Sequence, residues 1–195
     1  MDRMVEKLEE YAIKNNIPII QKDGLNFISD YIKNNNVKTI LEIGSAIGYS
    51  AINFALVNKN IKVTTIERDI ERYNEAVKNI KDFDLEQQIK IFNIDAFDYI
   101  DNNKYDLIFI DAAKAQYIKF FEKFKNNLSD YGVIISDNLS FHGLVENPEN
   151  TNNRNTRQLV SKINKYIEYL KNHEEFNTTF YKIGDGISIS KRPFE

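Results

Sequence analysis

Short apolar runs alternate with amphipathic stretches along most of this chain. Residues 38–43 (KTILEI), 61–67 (IKVTTIE), 88–93, 105–110 (YDLIFI) and 132–136 (GVIIS) have the length and apolar density of buried strands. Between them, residues 48–58, 70–81 and about 114–127 carry helical spacing. Strands alternating with helices predict a mostly parallel sheet with helices on both faces. Two helices, roughly 3–15 and 23–35, precede the first strand, and a polar loop, 145–153 (VENPENTNN), follows the fifth. A helix is predicted over about 154–172. The run NTTFYKIGDGISISK (177–191) places two β-rich segments around Gly184-Asp185-Gly186. Asp-Gly between such segments predicts a hairpin, which would add an antiparallel strand to the sheet. The pattern reads as one α/β domain over 1–195, with N-terminal helices in 1–36 and the core in 37–195.

Composition narrows the possible chemistry. The chain has 195 residues, 42% hydrophobic and 28% charged, which suits a globular domain rather than a disordered segment. A net charge of -3 excludes a strongly basic protein but leaves room for a local basic patch. With no cysteine, a disulfide scaffold, a thiolate nucleophile and a Cys-based zinc site are all excluded. Only two histidines occur, His142 and His173, so a poly-His metal site is not expected. The start, MDRMVEKLEE, is charged and has no apolar h-region, so no signal peptide and no membrane association are expected, and the cytoplasm is the expected address.

Candidate chemistry gathers at the predicted strand ends, where open α/β sheets bind ligands. The first strand runs into Glu42-Ile43-Gly44-Ser45-Ala46-Ile47-Gly48-Tyr49-Ser50. Glu42, Gly44 and Gly48 are candidate cofactor residues, the two glycines letting the backbone approach a ligand, though the run is not a dinucleotide fingerprint and also reads as a tight packing turn. Glu67 ends the second strand, where a carboxylate accepts hydrogen bonds from ribose hydroxyls. Asp95-Ala96 follow the third, offering an acceptor for an adenine amino group and room for its ring. Each acid alone also reads as a solvated strand end or a helix cap.

The fourth and fifth strands end in Asp111-Ala112-Ala113-Lys114 and Ser136-Asp137-Asn138. Asp111, Asp137 and Asn138 offer three oxygen donors, two of them anionic, a set that suits Mg²⁺ with positions left for water and substrate. Capping by Asp111 and a turn at Asp137-Asn138 are the alternatives. Lys114, three residues past Asp111, is a candidate general base in a desolvated site, or an exposed first-turn lysine.

Taken together, LEIGSAIGYS, Glu67, Asp95-Ala96, DAAKAQY (111–117), SDN (136–138) and GDGISIS (184–190) resemble the cation-dependent class I O-methyltransferases, the group that includes the catechol and caffeoyl-CoA enzymes. The resemblance covers roughly residues 20–190 and implies a Rossmann-like fold, S-adenosylmethionine as methyl donor and Mg²⁺ as cation. By position it implies that Ile20, Ser50, Glu67, Asp95, Ala96 and Asp111 line the donor pocket. It implies Asp111, Asp137 and Asn138 as metal ligands and Lys114 as the catalytic lysine. Within the group, IGSAIGYSA, TIER, FIDAAKAQY, DNLSFHGLV, RQLVSKINKY and GDGISISK are most similar to short bacterial members that methylate 5-hydroxyuridine at the tRNA wobble position. That similarity implies tRNA, near its anticodon, as partner, 5-methoxyuridine as product and a homodimer.

Three functions stay open on sequence: methylation of tRNA, methylation of a free catechol or phenylpropanoid, and S-adenosylmethionine binding without catalysis. On the predicted helix from 154, Arg154, Arg157, Lys162 and Lys165 oppose the apolar positions Leu159, Ile163, Tyr166, Ile167 and Leu170. Such a face can meet phosphates or simply be solvated. Phe141 and His142 fall in a loop that would line an acceptor pocket, where Phe141 would stack on a base or merely pack.

Overall fold

The computed structural model describes residues 2–193. Two helices, α1 (Asp2–Lys14) and α2 (Lys22–Asn34), lead into β1 (Thr39–Ile43). Then come α3 (Tyr49–Val57), β2 (Lys62–Glu67), α4 (Ile70–Asp82), β3 (Ile89–Asn93) and β4 (Tyr105–Ile110). The chain continues through α5 (Tyr117–Phe124), β5 (Leu128–Ser136), α6 (Arg154–Lys171), β6 (Asn177–Tyr181) and β7 (Ile187–Lys191). The strands form one sheet in the order β3-β2-β1-β4-β5-β7-β6. Every neighbour from β3 to β5 is parallel; β7 runs antiparallel to both β5 and β6. The predicted α/β sheet with a C-terminal antiparallel hairpin is therefore the observed one.

Alternation along the central strands sends successive side chains to opposite faces. Ile40, Leu107, Phe109, Val133 and Ile135 pack toward α1, α2 and α3, with Ile28, Ile32 and Phe54 among the buried partners. Leu41, Ile43, Ile108, Ile110 and Ile134 pack toward α5 and α6, against Phe121, Phe124, Ile163 and Tyr166. Covered on both faces, these strands read as continuous apolar runs, which is why they were visible in sequence. No helix among the described residues is long and apolar enough to cross a membrane.

Two boundaries differ from expectation. The strand predicted at 132–136 begins at Leu128, because Ser129, Asp130 and Tyr131 lie half-buried or exposed and lack an apolar signature. The helix predicted over 114–127 is a 3-10 turn at Lys114–Gln116, then α5, then a second 3-10 turn at Lys125–Asn127. The expected hairpin around Gly184-Asp185-Gly186 forms, with a five-residue link, 182–186, between β6 and β7.

Candidate active site

One rung of the sheet builds the site. Ile66, Ile43, Ile110 and Ser136 pair in register across β2, β1, β4 and β5. The next residue on each strand is Glu67, Gly44, Asp111 and Asp137, so four sequence-distant positions emerge side by side at the carboxyl edge. Backbone bonds continue past the rung: the amide of Gly44 donates to Ile66, Asp111 to Ile43 and Asp137 to Ile110, at 3.0, 3.1 and 3.3 Å. Above this edge lies a cleft of about 760 Å³. Ile20, Gly44, Ser50, Glu67, Asp95, Ala96, Asp111, Lys114 and Asn138 all line it.

At the β2 side Glu67 is held by two backbone amides: Ala46 donates to Oε2 and Asp69 to Oε1, both at 2.9 Å. It is a fixed acceptor with lone pairs left to face the cleft, not a solvated strand end. Asp95 partly obeys its local alternative, since Oδ1 accepts from the Phe97 amide at 2.9 Å. Its Oδ2 is 3.8 Å from Arg68, which also lines the cleft. Ser45 Oγ, buried in the lining, has no hydrogen-bond partner in the protein, which suits a polar ligand.

Two expected cofactor residues take different places. Glu42 does not line the cleft: it is fully buried on the α3 face of β1, where the hydroxyls of Ser50 and Thr65 donate to its carboxylate. Burial raises its pKa to about 7 against those two bonds. Gly48 also turns away, starting α3 and packing on Ala76 of α4. It is not among the residues that line the cleft.

At the β4–β5 side the capping alternatives fail. No side chain caps the 3-10 turn at Lys114 or α5, so the Asp111 carboxylate is not used as a cap. Asp137 is 1% exposed, and both its carboxylate oxygens lack a hydrogen-bond partner. A buried carboxylate without a partner is costly. Desolvation raises the pKa of Asp137 and the Asp111 carboxylate adds to the rise, while the Asn138 backbone amide, too poorly aligned to count as a hydrogen bond, and the Lys114 charge oppose it. Asp111 is raised too, by burial, with the Lys114 ammonium opposing. Tyr117, stacked edge-on against Tyr166 at 5.3 Å, donates its hydroxyl to the Asp137 carbonyl at 3.1 Å and fixes the strand end. No cluster of three or more His, Cys, Asp or Glu side chains suited to a metal occurs among the described residues. The set here is two aspartates with Asn138, and an orphaned pair of anionic oxygens fits a hard cation.

The O-methyltransferase family profile matches residues 1–193. The chain belongs to that family. A protein from Staphylococcus aureus, provisionally named a caffeoyl-CoA O-methyltransferase, is 41% identical. Its crystal structure covers 97% of this chain and 92% of its own, with a TM-score of 0.93. Caffeoyl-CoA O-methyltransferase of Stellaria longipes is 28% identical over 86% of this chain and 73% of its own length. The flavonoid 3',5'-methyltransferase of Vitis vinifera is 29% identical over 96% and 83%. The O-methyltransferase family places the cleft's chemistry: transfer of a methyl group from S-adenosylmethionine to oxygen.

In this O-methyltransferase Phe141, His142 and Asp185 also line the cleft, together with Lys114. Asp185 was missed as a site residue in sequence, where Gly-Asp-Gly read only as a turn. It is 3% exposed and faces Asn138 and His142. An acid between two glycines, following a strand signal, is a turn marker and carries no hint of burial. On α6, Leu159, Ile163, Tyr166, Ile167 and Leu170 face the core as expected, while Arg154, Lys162 and Lys165 are exposed. Arg157 is engaged locally, donating to the Thr151 carbonyl at 2.8 Å and to Asn152 at 3.1 Å.

Proposed function

We propose that this O-methyltransferase acts on a planar ring whose hydroxyl sits beside a second oxygen, and that the ring is the 5-hydroxyuridine base of tRNA. The observation that carries the first part is Asp137, a buried carboxylate with no protein partner beside Asp111 and Asn138. Asp111, Asp137 and Asn138 would hold Mg²⁺. A bound cation there supplies positive charge that makes the acceptor hydroxyl more acidic and fixes its orientation.

The chain's own residues do the rest. Glu67, Asp95, Ala96 and Ile20 bind and orient the donor, whose methyl is attacked as its carbon–sulfur bond breaks and sulfur keeps the pair. Lys114 Nζ, when neutral, takes the hydroxyl proton. Phe141 offers a ring face at the acceptor side.

The tRNA reading is supported by α6, which packs against the turn bearing Lys114 and exposes Arg154, Lys162 and Lys165 along one face. The names of the plant relatives favour a second reading, a free phenolic acceptor. The test is nucleoside mass spectrometry of tRNA carrying 5-hydroxyuridine after incubation with the protein, S-adenosylmethionine and Mg²⁺, beside a chelated control and a catechol control. Cation-dependent 5-methoxyuridine is the expected result. Methylated catechol with unchanged tRNA would overturn the acceptor and keep the chemistry.

A further inference from the structure

We propose that Asp185 is a positioning residue, a clasp that holds the segment 138–143 in a strained form and thereby orients Asn138 and the acceptor wall. Three non-glycine residues of this segment sit in the left-handed region, Asn138, Phe141 and His142, with φ of 63°, 48° and 58°. Side chains with a Cβ rarely adopt that region, so something must hold them there.

The link between β6 and β7 supplies the hold. Leu139 donates its amide to the Gly186 carbonyl at 3.0 Å, and Ser140 donates to the Asp185 carbonyl at 2.8 Å. The two backbones approach so closely that a Cβ on Gly186 would stand 2.7 Å from the Ser140 nitrogen. The Asp185 side chain then divides its two oxygens. Oδ1 accepts from the His142 amide, and Oδ2 accepts from the Asn138 side-chain amide at 3.4 Å. His142 Nδ1 is a further 3.8 Å neighbour of Oδ2.

A buried carboxylate near Asp111 and Asp137 adds like charge to a crowded site, as its unfavourable effect on both acids records. A neutral side chain would avoid that repulsion. Only a carboxylate accepts on both oxygens, so the arrangement favours geometry over local electrostatics. By accepting from the Asn138 amide nitrogen, Asp185 leaves the Asn138 carbonyl oxygen free to face the cleft. The part concerning Asn138 rests on the cation reading above; the clasp itself does not.

Two variants separate the halves. Asp185→Ala removes both contacts. Asp185→Asn keeps the acceptor for the His142 amide and turns a donor toward the Asn138 amide. Amide hydrogen exchange of residues 138–145, Mn²⁺ affinity by electron paramagnetic resonance and S-adenosylhomocysteine affinity by calorimetry are measured on the full chain.

Asp185→Ala is expected to speed exchange in the segment about tenfold and to weaken Mn²⁺ about 10- to 100-fold. Asp185→Asn is expected to keep near-native exchange while still weakening Mn²⁺. S-adenosylhomocysteine affinity should hold in both within about twofold, since the expected donor contacts, Ile20, Ser50, Glu67, Asp95, Ala96 and Asp111, do not include Asp185 or its two side-chain partners. Unchanged exchange in Asp185→Ala would overturn the clasp. So would a matching loss of S-adenosylhomocysteine affinity, which marks general damage. If the wild type itself binds no Mn²⁺, the cation reading fails, and the exchange data alone decide for or against Asp185.

Discussion

Gly44 and Asp111 meet backbone to backbone where β1 and β4 end: a Cβ on Gly44 would stand 2.3 Å from the Asp111 carbonyl oxygen. Gly44 also has φ of 97°, a conformation that side chains with a Cβ avoid. Both residues line the cleft. Gly44→Ala should therefore destabilise the fold by on the order of 3 kcal/mol, a Tm fall of about 6–12 °C for a domain of this size. It should also reduce S-adenosylhomocysteine affinity at least about tenfold, because Asp111 must move. Calorimetry and a thermal melt check both, and a melt within a degree of wild type would refute the tight contact.

Asp137 should trade stability for function. With its carboxylate buried and unpartnered, the cation-free protein carries a penalty that a neutral side chain lacks. Asp137→Asn should melt a few degrees above wild type in chelator at pH 8. Excess Mn²⁺ should raise the melting temperature of the wild type and leave the variant nearly unmoved, and methyl transfer by the variant should fall at least about a hundredfold. A variant less stable than wild type in chelator would sink this account.

Glu42 gives a pH dependence with a defined sign. Its folded pKa is raised to about 7 from the ordinary glutamate value of 4.5, so the native state keeps a proton that the unfolded chain has released. Below about 4.5 both states hold the proton and nothing is lost. As pH climbs from there to about 7 the native state loses stability relative to the unfolded one, by on the order of 3 kcal/mol in total. Glu42→Gln, which keeps partners for Ser50 and Thr65, should escape that loss. Melts at pH 5 and pH 8 should show the gap between variant and wild type widening in favour of the variant; an unchanged gap would place the proton elsewhere.

Much of the fold was legible in sequence because buried parallel strands are apolar on both faces. KTILEI, YDLIFI and GVIIS announce themselves, whereas Ser129, Asp130 and Tyr131 at the start of β5 do not. The donor-side acids were legible as residues but not as roles. Nothing in the chain separates Glu67, which lines the cleft one residue past the last β1–β2 rung, from Glu42, which lies one residue short of that rung on the same face and is buried under α3. That difference is decided by depth along the strand: Glu42 stops short of the carboxyl edge beneath Ser50 and Thr65, whereas Glu67 lies past it, held by the Ala46 and Asp69 amides. Asp185 was hidden for a related reason: Gly-Asp-Gly satisfies a turn so well locally that its burial cannot be read.

The sequence by itself determined the element order, the alternation that makes a parallel sheet, and the kinds of side chain at the strand ends, because these depend on local periodicity and composition. Only the tertiary structure decided which strand ends become neighbours. The rung through Ile66, Ile43, Ile110 and Ser136 joins residues 70 positions apart in the chain, Ile66 to Ser136. Long-range pairing of that kind is fixed by burial and hydrogen bonding across the whole sheet, and it alone sets Glu67, Gly44, Asp111 and Asp137 at one edge.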